Sequence, residues 1–409
     1  MPFRLRYGGE WLEFELPEGF EPTLIAEKEG PPSLDPRRAV EEALEKPADG
    51  VKLSDLVKPG YRVALIVDDA TRATPVVRIA DLVLRELEKA EEVEVVMALG
   101  LHPPPSKDKV ATKLGEELAE KVMMHNPRGD LVYVGRTVNG TEIYVNRLVA
   151  EADVRVAIGT ITPHPFAGFS GGPKILLPGV AGEETIKANH SLLSRPGAAL
   201  GVMEGNPIYA DEAYVASKLP TYIVNLIPSP SGGYLGAVAG EALKAHREGT
   251  SKFMEHYFFK LPEPVDVAIT TSHPVNVNLY QAWKGIFAVA DAVKPGGTII
   301  LATPAYEGMP SEKAETLRRY ELPKKTEKEI EAMLDKLPDY VFALIYLKLR
   351  MILRGKRLIV VTDNMSEEEV QQLGFEYSPT IEDALKKTEL KKAKVLINPT
   401  GAEALIKSR

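Results

Sequence analysis

The chain of 409 residues contains no cysteine. That absence excludes disulfides, thiolate metal ligands, iron–sulfur clusters and cysteine nucleophiles together. A soft metal held here must be gripped by histidine, by carboxylate, or by a donor that the polypeptide does not encode. Glutamine is nearly missing too: Gln281, Gln371 and Gln372 are the only three, among abundant Glu, Lys and Arg. With no cysteine, that is the compositional lean of a heat-adapted protein. There is also no basic block. Fifty Lys and Arg against 58 Asp and Glu leave a net charge of −8, and an acidic chain without a phosphate-neutralising patch is a poor nucleic-acid binder. No apolar h-region follows Met1–Tyr7. The most apolar later stretch, Tyr340–Leu347, falls well short of the roughly 20 residues of a spanning helix. A cytoplasmic protein with no membrane and no nucleic-acid partner is expected.

The remaining composition is globular, with 44% hydrophobic and 26% charged residues, enough to bury one or two sizeable cores. Strand and helix patterns alternate. Arg62–Val67 is an apolar run ending at Asp68-Asp69, followed by a helical pattern over Val76–Ala90. Val93–Leu99 reads as a second strand, Lys107–Met124 as one helix, and Val154–Ile158 as another buried strand. A second series begins near Pro262-Glu263-Pro264, with strands over Val265–Thr270, Gly297–Ala302 and Leu358–Thr362 and a last one over Lys394–Asn398. This spacing predicts an α/β protein of two α/β domains with mostly parallel sheets, residues 1–262 and 263–409, and an active-site cleft between them. In such sheets ligands bind beyond the carboxyl ends of strands. Asp69 and Arg72, His102, and His164 each follow one of the predicted strands.

The segment Thr162–His190 reads TPHPFAGFSGGPKILLPGVAGEETIKANH. Gly168, Gly171 and Gly172 would let backbone approach a ligand, and successive amides there could form an anion-binding nest. A P-loop is excluded, because Pro173 separates Gly172 from Lys174 and Ile175 follows. GxGxxG and HExxH are absent, and His164 and His190 are too far apart to share one helical face. On these residues alone, a glycine-rich turn with unrelated histidines stays open. Asp68-Asp69-Ala70-Thr71-Arg72 reads either as an acidic and hydroxyl helix cap or as an anion site. Arg72 favours the second, since a cation is misplaced at a helix N-terminus. His102 precedes three prolines and His164 lies between two, which restricts the backbone that carries each imidazole. His125 is read as a turn residue, His246 and His256 as solvated on a helix, and His273 as a residue lining a cleft.

Together, DDATRATP, ALGLH, HPFAGFSGGPK with His190 sixteen residues after its lysine, and NLYQAWKG resemble the lactate racemase family of nickel-pincer-nucleotide enzymes. The resemblance implies a pyridinium-3-thioamide-5-thiocarboxylic acid mononucleotide whose sulfurs and ring carbon grip nickel, joined covalently to Lys174, with His190 as the protein ligand. It implies His102 and His164 as a pair of bases on opposite sides of a 2-hydroxy acid. Arg72 and Lys284 would then bind carboxylate and polarise the developing carbonyl, with Gln281, a further catalytic candidate, facing the same site, and Asp69, Thr71, Gly168, Ser170, Gly171 and Gly172 would line the cofactor. A basic residue often follows the histidine matching His102 in that family; here it is Pro103, which leaves longer or more polar 2-hydroxy acids open beside lactate. A cofactor that brings its own sulfur also answers the lack of cysteine.

The expected function is therefore racemisation or epimerisation of a 2-hydroxy acid by hydride transfer, with cofactor-biosynthesis enzymes as transient partners. A metal-dependent hydrolase or lyase using the three histidines without the nucleotide is the alternative. A non-enzymatic nucleotide-binding protein is a third reading, and it gives His102 and His164 no task.

Overall fold

A computed structural model describes residues 2–25, 33–230 and 232–408. They form two compact units, one spanning Ser33–His256 and the other joining the N-terminal residues through Ile25 to Tyr257–Ser408.

The Ser33–His256 unit is built on a six-stranded sheet. Its order is Tyr234–Glu241, Tyr222–Pro228, Val154–Thr160, Arg62–Asp68, Glu92–Ala98, Met123–Met124, parallel throughout except for the first strand. The central strands are apolar on both faces: Val63–Val67 and Val156–Ile158 are almost wholly buried, as parallel strands covered by helices must be. Val67 pairs with Ile158. From these two neighbours the chain departs in opposite directions, toward Glu92–Ala98 on one side and Tyr222–Pro228 on the other. This is the topological switch point where doubly wound sheets open a crevice. The loops that follow, Asp69–Pro75 and Ile161–Phe169, carry the acidic, basic and histidine residues singled out above.

The other unit carries a second six-stranded sheet in the order Glu376–Ser378, Arg357–Val361, Val293–Ala302, Val265–Thr271, Ala393–Asn398, Phe20–Leu24, parallel throughout. The linear division at 262/263 thus misplaces the N-terminus. Phe20–Leu24 closes the edge of the C-terminal sheet against Ala393–Ile397, and Leu5, Phe14 and Phe20 lie in its core. Helix Leu279–Val289 buries Trp283 against Tyr280, Phe342 and Tyr346. The apolar stretch at Tyr340 is a buried-face helix, Tyr340–Ile352. Among the described residues no helix is long and apolar enough to cross a membrane.

Two local expectations fail. The helix expected over Lys107–Met124 breaks at Gly115, whose φ of 81° ends one helix and starts the next, and Met123–Met124 becomes an edge strand. Lys394–Asn398 is not the last strand, because Leu405–Ser408 follows and pairs with Phe258–Leu261.

Lys113 ties helix Lys107–Leu114 to the switch point. Its ammonium lies 2.7 Å from an Asp68 carboxylate oxygen with both side chains nearly dry, and it also donates to the Arg72 carbonyl at 2.9 Å. Removing one partner of a buried pair strands the other charge, at a cost of about 3–5 kcal/mol. Lys113→Met is expected to lower stability by about that much in urea unfolding, and Lys113→Met/Asp68→Asn to recover most of it. Equal stability of Lys113→Met and wild type would refute a role for the pair.

Candidate functional site

Strand Arg62–Asp68 delivers Asp69 into a tight loop, where one carboxylate oxygen accepts from the Thr71 amide at 2.7 Å and from the Thr71 hydroxyl. The other oxygen faces His102 Nδ1 at 3.3 Å and Arg72 Nε at 3.7 Å. Burial alone would raise the Asp69 pKa. The hydrogen bond to His102, the charges of Arg72 and His102 and the Thr71 bond together hold it well below the usual carboxylate range. No side chain caps the helix that follows, Val76–Glu86. The capping reading of this segment therefore falls, and the acidic and hydroxyl groups organise the loop itself.

His102 follows strand Glu92–Ala98, exposed, in a turn closed by its own amide to the Leu99 carbonyl at 2.8 Å. With Asp69 accepting from Nδ1–H, the neutral ring keeps its lone pair on Nε2. His164 sits in a two-residue hairpin, paired with Gly168. Its Nδ1 accepts from the Ala167 amide at 3.2 Å, so its neutral ring carries the proton on Nε2. Phe166 stands edge-on to both His164, at 4.4 Å between centroids, and His190, at 5.2 Å. Sequence reasoning gave Phe166 no role, yet it spaces the two histidines.

His190 lies in helix Glu183–Ser191, nearly fully buried, with Nδ1 3.3 Å from the Asn189 side-chain oxygen. Burial, followed by the charges of Lys174 and His102, pushes its pKa down to about 3. It is a neutral imidazole at physiological pH, the form in which histidine binds metals. Lys174 is buried in the turn Gly172–Ile175. Desolvation brings its pKa down to about 8, with Glu212 and Asp69 opposing and Arg72 reinforcing. These mutual fields, with the Phe166 bridge, gather Asp69, Arg72, His102, His164, Lys174 and His190 into one constellation. Gln281 and Lys284 belong to the other unit, three residues apart on helix Leu279–Val289.

The glycine-rich loop behaves differently from a nest. The Ser170 amide donates to the Thr162 carbonyl at 2.8 Å, the Lys174 amide to the Gly171 carbonyl at 3.2 Å, and the Gly172 amide to the Asn225 side chain at 2.7 Å. Those donors are spent inside the protein. The glycines are needed for internal packing: a Cβ on Gly172, at φ of 52°, would lie 2.3 Å from the His246 ring. His246, expected on a solvated face, is instead fully buried beneath the loop, donating from Nε2 to the Ser170 carbonyl at 3.0 Å. Its burial was illegible because the charged neighbours Lys244, Arg247 and Glu248 suggested water. His256 is half-buried, and His125 is buried with Nε2 donating to the Ala181 carbonyl at 2.9 Å.

The residues present fit a covalently held metal nucleotide better than a metal bound by protein alone. Among the described residues, no group of three or more His, Asp and Glu is arranged to hold a metal ion. One neutral imidazole and one amine of lowered pKa do face a shared environment. That donor set suits a group that brings its other ligands with it.

Residues 7–201 match the family description Lactate racemase N-terminal domain, and residues 261–406 match Lactate racemase C-terminal domain. The chain is 31% identical to the lactate racemase of Thermoanaerobacterium thermosaccharolyticum, over 98% of each chain. It is also 31% identical to that of Lactiplantibacillus plantarum, over 91% of this chain and 92% of the other. The apoprotein structure of the first superposes with a TM-score of 0.87 over 99% of this chain and 100% of the other, at 30% identity. A crystal structure of a Thermotoga maritima protein matches with a TM-score of 0.68 at 19% identity, covering 92% of this chain and 100% of that one, and so shares the fold.

Burial pushes the His246 pKa down to about 4, against the Ser170 bond. The unfolded chain therefore binds the proton more readily, and stability is lost as pH falls from about 6.5 toward 4. At about 1.4 kcal/mol per tenfold, the loss from His246 is on the order of 3 kcal/mol. Melting temperature is expected to drop over that interval and to drop less in His246→Gln. An identical pH trend in the two proteins would show that His246 is not the group responsible.

Proposed function

The chain belongs to the lactate racemase family and is an isomerase, and from that premise we propose that it inverts the carbon of a 2-hydroxy acid by reversible hydride transfer. The observation that carries this reading is the pair of oppositely held histidines. Inverting a carbinol centre needs a proton acceptor for each enantiomer, because the two present their hydroxyls differently. His102 offers a lone pair on Nε2 and His164 a proton on Nε2, the complementary starting states for taking and returning a hydroxyl proton. Arg72 shares the Asp69 oxygen with His102, its guanidinium only partly engaged there, and serves as a donor for the substrate carboxylate. Lys284 and Gln281 are assigned by resemblance to the same substrate.

The nickel-pincer nucleotide, when bound, supplies the hydride acceptor. Lys174 would hold it covalently and His190 would ligate its nickel. Asp69 and Thr71 would border it, with Gly168, Ser170, Gly171 and Gly172 shaping the turn that presents Lys174. Desolvation supports Lys174 in this role, since a buried amine of lowered pKa is a better nucleophile at neutral pH than an exposed lysine. Lactate is the substrate named for the relatives. Pro103-Pro104-Pro105 beside His102 leaves room in the reading for longer or more polar 2-hydroxy acids. The setting we propose is cytoplasmic, with the cofactor-making enzymes as transient partners.

Intact mass and nickel content after co-expression with those enzymes test the attachment. A covalent adduct and bound nickel are expected, both lost in Lys174→Ala. Nickel retained in that variant with no adduct in the wild type would move the assignment to the metal-dependent hydrolase or lyase.

The histidine pair is tested separately. His102→Ala and His164→Ala in the loaded protein should each lower racemisation at least 100-fold. Each should still form 2-keto acid in a single turnover from one enantiomer, and the two variants should retain opposite ones. Loss of the same enantiomer in both would remove the two-base assignment.

A further inference from the structure

Glu212 is fully buried on helix Pro207–Lys218, and neither of its carboxyl oxygens has a hydrogen-bond partner. Its neighbour Asp211 is equally buried but fully engaged, by Asn139 at 2.9 Å, Thr141 at 2.6 Å and Asn189 at 3.4 Å. A buried carboxyl without partners costs several kcal/mol as a carboxylate, roughly 1–3 kcal/mol even as a neutral acid, and an apolar side chain would avoid both. Some opposite charge must justify it. The helix packs against the turn Gly172–Ile175, which carries Lys174. No hydrogen bond or ion pair engages Lys174 Nζ among the described residues, so the amine and the acid face the same deficit within adjoining elements.

We propose that Glu212 is the internal proton acceptor for Lys174, balancing the ammonium before attachment and taking one of its protons when the nitrogen enters an amide-type bond. This rests on reading Lys174 as the attachment point. In that step the nitrogen bonds to the acyl or thioacyl carbon of the incoming donor, and the bond from that carbon to its leaving group breaks. One ammonium proton passes to Glu212 and the other departs with the leaving group; nothing is oxidised or reduced. Without such an acceptor, attachment would erase the ammonium and leave a carboxylate alone in a dry site.

The electrostatics agree. Burial pushes Glu212 up to about 8, with Lys174 opposing and Asp211 reinforcing, while burial brings Lys174 down to about 8 with Glu212 its foremost opposing charge. The other groups in this field are Tyr209 on the same helix, Asp69 and Arg72 from the switch-point loop, and His190, whose imidazole feels Lys174. His246 stacks on Tyr209.

Lys174→Met imitates the loss of positive charge. Glu212, already raised to about 8 beside Lys174, then keeps its proton to still higher pH. Wild type loses the Glu212 contribution up to about pH 8, and Lys174→Met should go on losing it above that pH. The melting temperature of Lys174→Met is therefore expected to go on declining from about pH 8 to 9.5 while that of wild type does not, and Lys174→Met/Glu212→Gln to abolish the decline. A Lys174→Met profile parallel to wild type, or a decline that survives in the double variant, overturns the proposal. Glu212→Gln alone gives a second reading. Acetylation of Lys174 by acetic anhydride above the lysine's pKa of about 8, where the amine is largely neutral with or without the carboxylate, followed by peptide mass spectrometry, should fall several-fold as the reacting nitrogen loses its proton acceptor; an unchanged or faster rate overturns the acceptor role. Failure of the covalent reading is seen elsewhere, as the absence of any adduct after co-expression.

Discussion

The pairing of Arg62–Asp68 with Val154–Thr160 is the constraint on which the site depends. These strands lie in parallel register with Val67 opposite Ile158, so their carboxyl ends emerge side by side. Thr74 and Thr160 hydroxyls meet there at 2.7 Å, and Thr74 also donates to Asp68. One strand leads to Asp69 and Arg72, the other to His164 and Lys174. A slip of either strand by one residue would turn its side chains to the opposite face and disperse the constellation. The apolar runs that make these strands core elements therefore also set the distances of the chemistry, and Lys113 adds a cross-tie from the neighbouring helix.

Within that frame several side chains of the candidate site are kept out of water. Lys174, His190, Glu212 and His246 are all buried ionisable groups, and burial is the leading cause of the shift for each. Burial favours the neutral form in every case. A neutral imidazole is the form in which histidine binds metals, and an amine brought down to about 8 is more readily deprotonated than an exposed lysine. Asp69 is the counterexample. It is buried as well, yet two cationic or proton-bearing side chains and a hydroxyl keep it ionised. One loop residue thus stays charged and orients His102 and Arg72.

Much of this was legible in the sequence, and the failures have specific causes. Apolar runs identified the central strands of both sheets, since a parallel strand is buried on both faces and cannot hide its composition. The switch-point residues could be found because polar side chains directly after such runs have few other reasons to cluster. Strand Phe20–Leu24 was missed, because a short edge strand with a proline and two outward-facing polar residues has no periodic signature. Glu212 and His246 were missed because charge in a helical pattern reads as solvent-facing. Only their packing against the glycine-rich turn shows otherwise. The glycines themselves were read for a ligand when their missing side chains make room for protein.

The two histidines are held unequally, and thermodynamics limits what that inequality can do. His102 is exposed and oriented by a carboxylate, whereas His164 is partly buried, gripped by a backbone amide and backed by Phe166. With these two as the proposed bases, a site this asymmetric treats the two enantiomers differently at every microscopic step. Yet enantiomers have equal free energy in water, so their equilibrium constant is one, and kcat/KM must then be the same in both directions. The asymmetry can appear only as opposed differences in kcat and KM, the enantiomer that binds more tightly being turned over more slowly. A substrate with a second stereocentre lifts that restriction, because its epimers differ in free energy. Equality or inequality of the two kcat/KM values therefore reports on the substrate rather than on the histidines, and it separates racemisation from epimerisation without reference to how the site is built.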